Sequence, residues 1–92
     1  MFSRMKGLLG KSSLAAGEGL LIKPCKGIHT FGMRFPIDVL FLNKGNYVVA
    51  TIKNIKPNKM TRLYLEASSV IELPAGTLDA TATKPGDRLE LA

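Results

Sequence analysis

Residues 25–42 read CKGIHTFGMRFPIDVLFL and concentrate both the reactive side chains and the hydrophobicity of this chain. The segment contains the only cysteine, the only histidine, three of the four phenylalanines, and Asp38 inside an apolar run. Residues 37–42 are almost continuously apolar, which predicts a strand that is buried on both faces or that closes a barrel. We therefore expect this segment to supply both core and site.

Short apolar segments separated by turn-forming residues lie on both sides of this stretch. Residues 43–46, Asn-Lys-Gly-Asn, are typical of a hairpin turn. Lys53 and Asn54 interrupt the alternation that precedes them and predict a bulge or the end of the strand. Residues 77–83 fit a loop or a one-turn helix. Hydrophobic spacing predicts a short helix over residues 4–9 and strands over residues 19–23, 37–42, 47–55, 60–67, 70–73 and 88–91.

The order of these elements contains no strand–helix–strand pattern, no repeat and no linker. We therefore predict one all-β domain over residues 1–92, mainly β with one or two short helices. Short strands joined by glycine and proline turns favour a small antiparallel barrel-like or sandwich architecture.

Composition excludes several classes of protein. Apolar residues make up 46% of the chain, as in folded domains rather than disordered ones. One cysteine cannot form an internal disulfide, which favours a reducing compartment, and we expect a cytoplasmic protein. The N-terminal apolar stretch is interrupted by charge and glycine, unlike a signal peptide. No apolar run approaches the roughly 18 residues of a membrane span, so we expect no membrane partner.

The net charge of +6 is unevenly distributed, because eleven of the thirteen Lys and Arg residues lie within residues 1–62. Small β-barrels that bind single-stranded nucleic acid combine cations with stacking aromatic residues. One hypothesis is therefore that a basic surface binds nucleic acid or another anionic partner; the alternative is charge that serves solubility. The cations of this surface recur every three residues: Lys53, Lys56, Lys59 and Arg62.

Four ordered blocks resemble a known family. They are GEGLLI at residues 17–22, IHTFGMRFPIDVLFL at 28–42, VIELPAG at 70–76 and GD at 86–87. They are similar to the domain of unknown function 192 family, and the resemblance covers nearly the whole chain. It implies a compact, β-rich, stand-alone domain of bacteria and archaea, with no established reaction.

The match to the family pattern differs from residue to residue. Asp38 and Asp87 match it. Many members carry a Trp-Met-Lys-Asn-Thr-like run where this chain has Cys25 and His29, and many members are exported with a signal peptide.

Cys25 and His29 are the candidates for catalysis. In an enzyme, Cys25 would be the nucleophile, His29 the base and Asp38 the group that orients the imidazole. The alternative is a small buried thiol beside a hydrogen-bonded histidine. A structural zinc site takes four Cys or His ligands and this chain has two, so we predict no metal and no cofactor.

Asp38 and Glu72 are acidic residues within two of the predicted strands. If Asp38 points inward, its charge must be paired, hydrogen-bonded or neutralised. Arg34 is a natural partner, and His29 and backbone amides are the others. Asp38 is then either a structural anchor or the floor of a pocket for a polar ligand. Glu72 lies between Ile71 and Leu73 on an alternating strand, where exposure to solvent is expected.

The favoured hypothesis is a non-enzymatic module that binds a ligand or a partner around residues 25–38, with the site closed by residues 86–87. The partner would be a small molecule or a protein, and nucleic acid is less favoured. The expected binding residues are His29, Thr30, Met33, Arg34, Asp38 and Asp87.

Overall fold

The structure is a computed structural model that describes residues 19–90, so the helix predicted over residues 4–9 lies outside the described residues. The mainly β fold is confirmed. The elements are β1 (Leu20–Ile22), β2 (Ile37–Leu42), β3 (Val48–Ile55), β4 (Ser69–Pro74) and one short helix, α1 (Thr77–Thr81).

The four strands form one antiparallel sheet in the order β1-β4-β2-β3. Within residues 19–90, β1 and β3 are its two edges, so the sheet is open and is not a closed barrel. β1 is only three residues long because Pro24, which lacks a donor for the ladder, follows it closely. An edge strand this short cannot curl round to meet β3.

The predicted hairpin and bulge are both confirmed. Asn46 takes a φ of 67° and the amide of Asn43 donates to the carbonyl of Tyr47, closing the turn between β2 and β3. Farther along, the register of β3 against Ile37 shifts, and Asn54 takes a φ of 54°. Asparagine tolerates this left-handed conformation better than most residues.

Two loops pair with each other and form a second layer. We call residues 23–36 loop A and residues 56–68 loop B. The amide of Thr30 donates to the carbonyl of Lys59 at 2.8 Å, and that of Thr61 donates to the carbonyl of Ile28 at 2.9 Å. The strand predicted over residues 60–67 is wrong, because this segment pairs irregularly with loop A and turns after Tyr64 instead of joining the sheet.

Both faces of the sheet are covered, which explains why all six residues of β2 are buried. Val39 and Phe41 point to the two-loop layer and pack with Ile28 and Met33. On the opposite face the core cluster includes Leu78 of α1.

The C-terminal segment adds to that second face without forming the strand predicted from residue 88. Arg88 makes a single bridge to Tyr47 within the described residues. Leu89 packs against the cluster that contains Leu78, and its amide donates to the carbonyl of Asn46.

Asp38 is buried on the α1 side of β2 and has three backbone partners. Its Oδ1 accepts from the amide of Asn54 at 2.9 Å, and its Oδ2 accepts from the amides of Gly76 at 3.0 Å and Leu78 at 2.9 Å. Of the expected partners, backbone amides are the ones that bind Asp38. The expected pairing with Arg34 is wrong, because Arg34 is exposed on loop A, which covers the other face of the sheet. Asp38 therefore links the bulge of β3 to the start of α1.

We predict that Asp38→Ala lowers the free energy of unfolding by about 3 kcal/mol or more, because it leaves three amides without their charged acceptor. Urea denaturation of both proteins measures this. The matched control is Asp79→Ala, which removes an exposed carboxylate from α1 and should cost much less. Equal losses for the two variants would contradict the anchoring role.

Candidate functional site

Cys25 and His29 both lie on loop A, but each side chain is engaged with another group. The Cys25 thiol donates to the carbonyl of Gly27 at 3.1 Å. Nδ1 of His29 accepts from the amide of Phe31 at 3.2 Å, and the two rings stack with their centroids 5.0 Å apart. The sequence-based pairing of thiol with imidazole is therefore not formed.

The electrostatics of Cys25 are also unlike those of a nucleophile. Burial raises the pKa of its thiol, the hydrogen bond to Gly27 partly offsets this, and the charge of Glu72 raises the pKa further. An activated cysteine needs a lowered pKa, because the thiolate is the reactive species. Asp38 cannot orient His29 either, since its oxygens are taken by three amides on the far side of the sheet.

Glu72 is the residue that sequence reasoning misjudged. Its side chain is 0% exposed, and neither carboxylate oxygen has a hydrogen-bond partner within residues 19–90. Burial raises its pKa from 4.5 to about 7. The expected exposure to solvent is wrong, because Glu72 pairs with Val39 in the sheet and so faces the two-loop layer. The sequence feature that indicates burial of Glu72 is the continuous apolar run around it, which is like that of β2.

An open groove runs between β3 and loop B. One part has a volume of about 630 Å³ and the adjoining part about 340 Å³. The two parts share Val49, Leu65 and Glu66, and we call them together the β3 groove. Leu65 is 76% exposed, which is unusual for a leucine. Lys26 and Lys44 line the larger part, and Arg62 lines the smaller one.

Comparison with known proteins identifies the family. The family model DUF192, described as "Uncharacterized ACR, COG1430", matches residues 1–91. The chain belongs to the DUF192 family. No curated protein sequence matches this DUF192 domain at a significant level.

Two solved structures share the fold of this DUF192 domain. A protein of unknown function from Novosphingobium aromaticivorans DSM 12444 has a TM-score of 0.82 at 23% identity, over 94% of this chain and 66% of that one. A candidate transcription regulator from Sinorhizobium meliloti 1021 has a TM-score of 0.78 at 25% identity, over 90% of this chain and 69% of that one. The DUF192 domain thus spans about two thirds of each structure.

The predicted binding residues are dispersed in the DUF192 domain. Thr30 is buried, and its hydroxyl donates to the carbonyl of Lys56 at 2.6 Å while accepting from the amide of Lys59 at 2.9 Å. Met33 is part of the core, whereas His29 and Arg34 are exposed.

Asp87 lies near the opposite end of β2 from Asp38, because its carbonyl accepts from the amide of Val48, and Val48 pairs with Leu42. Its carboxylate binds the amide and the ammonium group of Lys84, each at 3.0 Å, and these hydrogen bonds lower its pKa. Asp87 and Asp38 thus do not share a pocket.

The four predicted cations are also divided. Lys53 pairs with Asp79 at 2.6 Å, and this hydrogen bond raises the pKa of Lys53. Arg62 lies 3.9 Å from the centroid of the Tyr64 ring, which packs on Phe41 at 4.2 Å. Lys56 and Lys59 are exposed on loop B.

Two further findings concern metals and membranes. Within residues 19–90, no group of three or more His, Cys, Asp or Glu side chains is placed to hold a metal ion. In the same range, no helix has the length and hydrophobicity needed to cross a membrane.

We predict that Cys25 reacts slowly with iodoacetamide and titrates above the ordinary thiol pKa of about 8.5, because its thiol is partly buried next to Glu72. His29→Ala should leave the titration midpoint unchanged, whereas Glu72→Gln should lower it. The pH dependence of the alkylation rate measures both. A midpoint below the ordinary value that rises when His29 is removed would support the enzyme hypothesis instead.

Proposed function

We propose that this domain is a non-enzymatic binding module that holds an extended, acidic segment of a partner protein in the β3 groove. The observation that carries the proposal is a groove whose lining combines apolar side chains, among them Val49 and the exposed Leu65, with three cations. Ligand sites of comparable volume are commonly largely apolar with a few placed polar groups. A cytoplasmic location is also part of this proposal, because a chain with one cysteine fits a reducing compartment.

The charge distribution supports an acidic partner. Loops A and B together carry six Lys and Arg residues and one acidic residue, Glu66, which lines the groove. The other residues between 19 and 90 carry four Lys and Arg against five acidic residues. A positive potential concentrated on one layer accelerates the encounter with anionic molecules and orients them.

The exposed apolar side chains support a protein rather than a polyanion. Four of them lie on loops A and B: Phe31, Met60, Leu63 and Leu65. Apolar surface of this kind is typical of interaction sites, because covering it removes hydrocarbon from water. A nucleic acid gains most from aromatic platforms, and these residues are mainly aliphatic. The elongated groove also fits an extended chain better than a flat bilayer.

Binding of nucleic acid is the second candidate function. The exposed Lys56, Lys59 and Arg62 favour it, and one related structure is a candidate transcription regulator. Two contacts count against it: Lys53 is paired with Asp79, and the Tyr64 ring is stacked on Phe41 and covered by Arg62.

We predict that a fluorescein-labelled decapeptide of alternating Asp and Leu binds the wild-type protein, and that Leu65→Ser weakens binding about tenfold because a buried leucine contact is lost. Fluorescence anisotropy at constant pH measures both affinities. Added salt should weaken binding, because the groove cations are screened.

The matched control is Met60→Ser, since Met60 is 69% exposed on the same loop but does not line the groove. It should leave the affinity unchanged, and an equal loss would place binding outside the groove. An alternating Lys and Leu peptide should not bind. No binding of the acidic peptide at millimolar concentration would refute the proposal, and tighter binding of a ten-nucleotide oligothymidine would favour the second candidate.

A further inference from the structure

Glu72 is a buried carboxyl that the described part of the molecule leaves without hydrogen bonds. Its carboxyl is fully buried, and neither oxygen has a hydrogen-bond partner within residues 19–90. Burying an ionised carboxylate without a partner costs several kcal/mol, which is why such groups take up a proton instead. An orphaned polar group of this kind calls for a functional explanation.

Loop A covers Glu72. In the register of the sheet, Glu72 lies opposite Leu20 and Val39, and Val39 belongs to the core cluster that contains Ile28 and Met33 of loop A. Cys25 packs against the same cluster. Loop A therefore forms part of the layer that keeps water from this face of the sheet, on which Glu72 lies.

The surroundings of Glu72 contain little charge to compensate an ionised carboxylate. From β1 and β2 the residues that face it are apolar, Leu20 and Val39. From loop A, Cys25 is the titratable group that senses its charge. His29 of the same loop is exposed and lines a small cavity together with Cys25. Burial is accordingly the cause that raises the pKa of Glu72 to about 7.

A small cavity of about 110 Å³ lies at the edge of loop A. Its lining residues are Ile22, Cys25, Gly27, Ile28 and His29. Cys25 thus lines the cavity and also lies close enough to Glu72 to sense its charge. The cavity is large enough for water, since one molecule occupies about 30 Å³ of the liquid. It places room for water beside Cys25, where loop A meets β1.

We propose that Glu72 is a protonation switch for loop A: the neutral carboxyl lets the loop lie on the sheet, and ionisation favours a hydrated, lifted loop. The inference rests on the proposed function insofar as it regulates the β3 groove. Loop A supports the groove directly, because the carbonyl of Lys26 accepts from the amide of Tyr64 at 2.8 Å. The ammonium group of Lys26 also donates to the carbonyls of Leu65 at 2.9 Å and Ala67 at 2.7 Å.

The direction of the pH effect follows from linkage. In the lifted state the hydrated carboxyl titrates near its ordinary pKa of 4.5, and in the seated state near 7. Between these values the seated state holds a proton that the lifted state has released, so raising the pH favours lifting. The equilibrium constant for lifting should rise up to about tenfold per pH unit in this window and level off above it, roughly three hundredfold in total.

Amide hydrogen exchange of the full chain, measured by NMR between pH 5 and 8 and corrected for intrinsic rates, tests the switch. The reporters are the amides of Cys25 and Thr30, which bond to Ser68 and Lys59 of loop B. Their protection should fall as the pH rises to about 7 and then level off. It should stay below that of Phe41 in β2, because the loop opens without global unfolding. The amide of Leu89 at the other end of the sheet should show no such trend.

Glu72→Gln is the matched variant, because it keeps the shape and removes the titration. Protection of the loop A amides should then be independent of pH. If this variant does not fold, Glu72→Leu serves the same purpose. Three outcomes would each overturn the switch. Protection could be independent of pH in the wild type, or it could fall equally in the variant. The reporter amides could also exchange only through the global unfolding that exposes the amide of Phe41.

This experiment contains no partner, so its result is separate from that of peptide binding. If the switch is present and the acidic peptide fails to bind, loop A is pH-sensitive and the proposed partner is wrong. If the peptide binds and protection does not depend on pH, the binding proposal stands and the switch is refuted.

Discussion

The three hydrogen bonds of Asp38 are the constraint on which the α1 side of this fold depends. The carboxylate lies on the central strand and is 1% exposed, so it must be satisfied by protein groups. It accepts from the amides of Asn54, Gly76 and Leu78, which belong to the bulge of β3 and the start of α1. A five-residue helix has little stability of its own. Its docking therefore rests on this carboxylate and on the burial of Leu78.

Glu72 carries the same chemical group on the other face of the sheet, but its surroundings differ from those of Asp38. Asp38 meets donors that the backbone has already turned towards it, whereas Glu72 meets the apolar side of loop A. The carboxylate of Asp38 thus stabilises the fold through its hydrogen bonds. The buried carboxyl of Glu72 destabilises the fold to an extent that depends on pH. The difference comes from the layer that covers each face. A helix start and a bulge offer free amides, and a loop packed through Ile28 and Met33 does not.

The two-loop layer explains how an irregular segment can form a defined surface. Loops A and B satisfy each other's backbone groups, as in the bond from Thr30 to Lys59. Their outer side chains are then left to solvent, and these include Leu63 and Leu65. Gly27 allows the loops to approach, because an added Cβ would come within 3.0 Å of the carbonyl of Arg62. The groove and its cations are a product of this pairing.

Sequence patterns predicted those parts of the fold that depend on neighbours along the chain. The buried β2, the turn at residues 43–46, the bulge at Asn54 and the family follow from local spacing, turn chemistry and ordered motifs. Alternation failed over residues 60–67, because an irregular ribbon and a regular strand share the same period and only the partner distinguishes them. The sequence does not distinguish a loop from a short helix over residues 77–83 for a related reason. The start of α1 is held by Asp38, which is remote in the sequence.

The sequence by itself determined that an acid lies inside each of two apolar strands and that cations gather before residue 63. Only the tertiary structure decided what those acids meet. Asp38 found three amides rather than Arg34, and Glu72 was enclosed rather than exposed. It also placed Asp38 on the opposite face of the sheet from Cys25 and His29, which line one small cavity but bind different groups. The physical reason is that alternation assigns a side chain to a face of the sheet, while the layer packed on that face comes from distant parts of the chain.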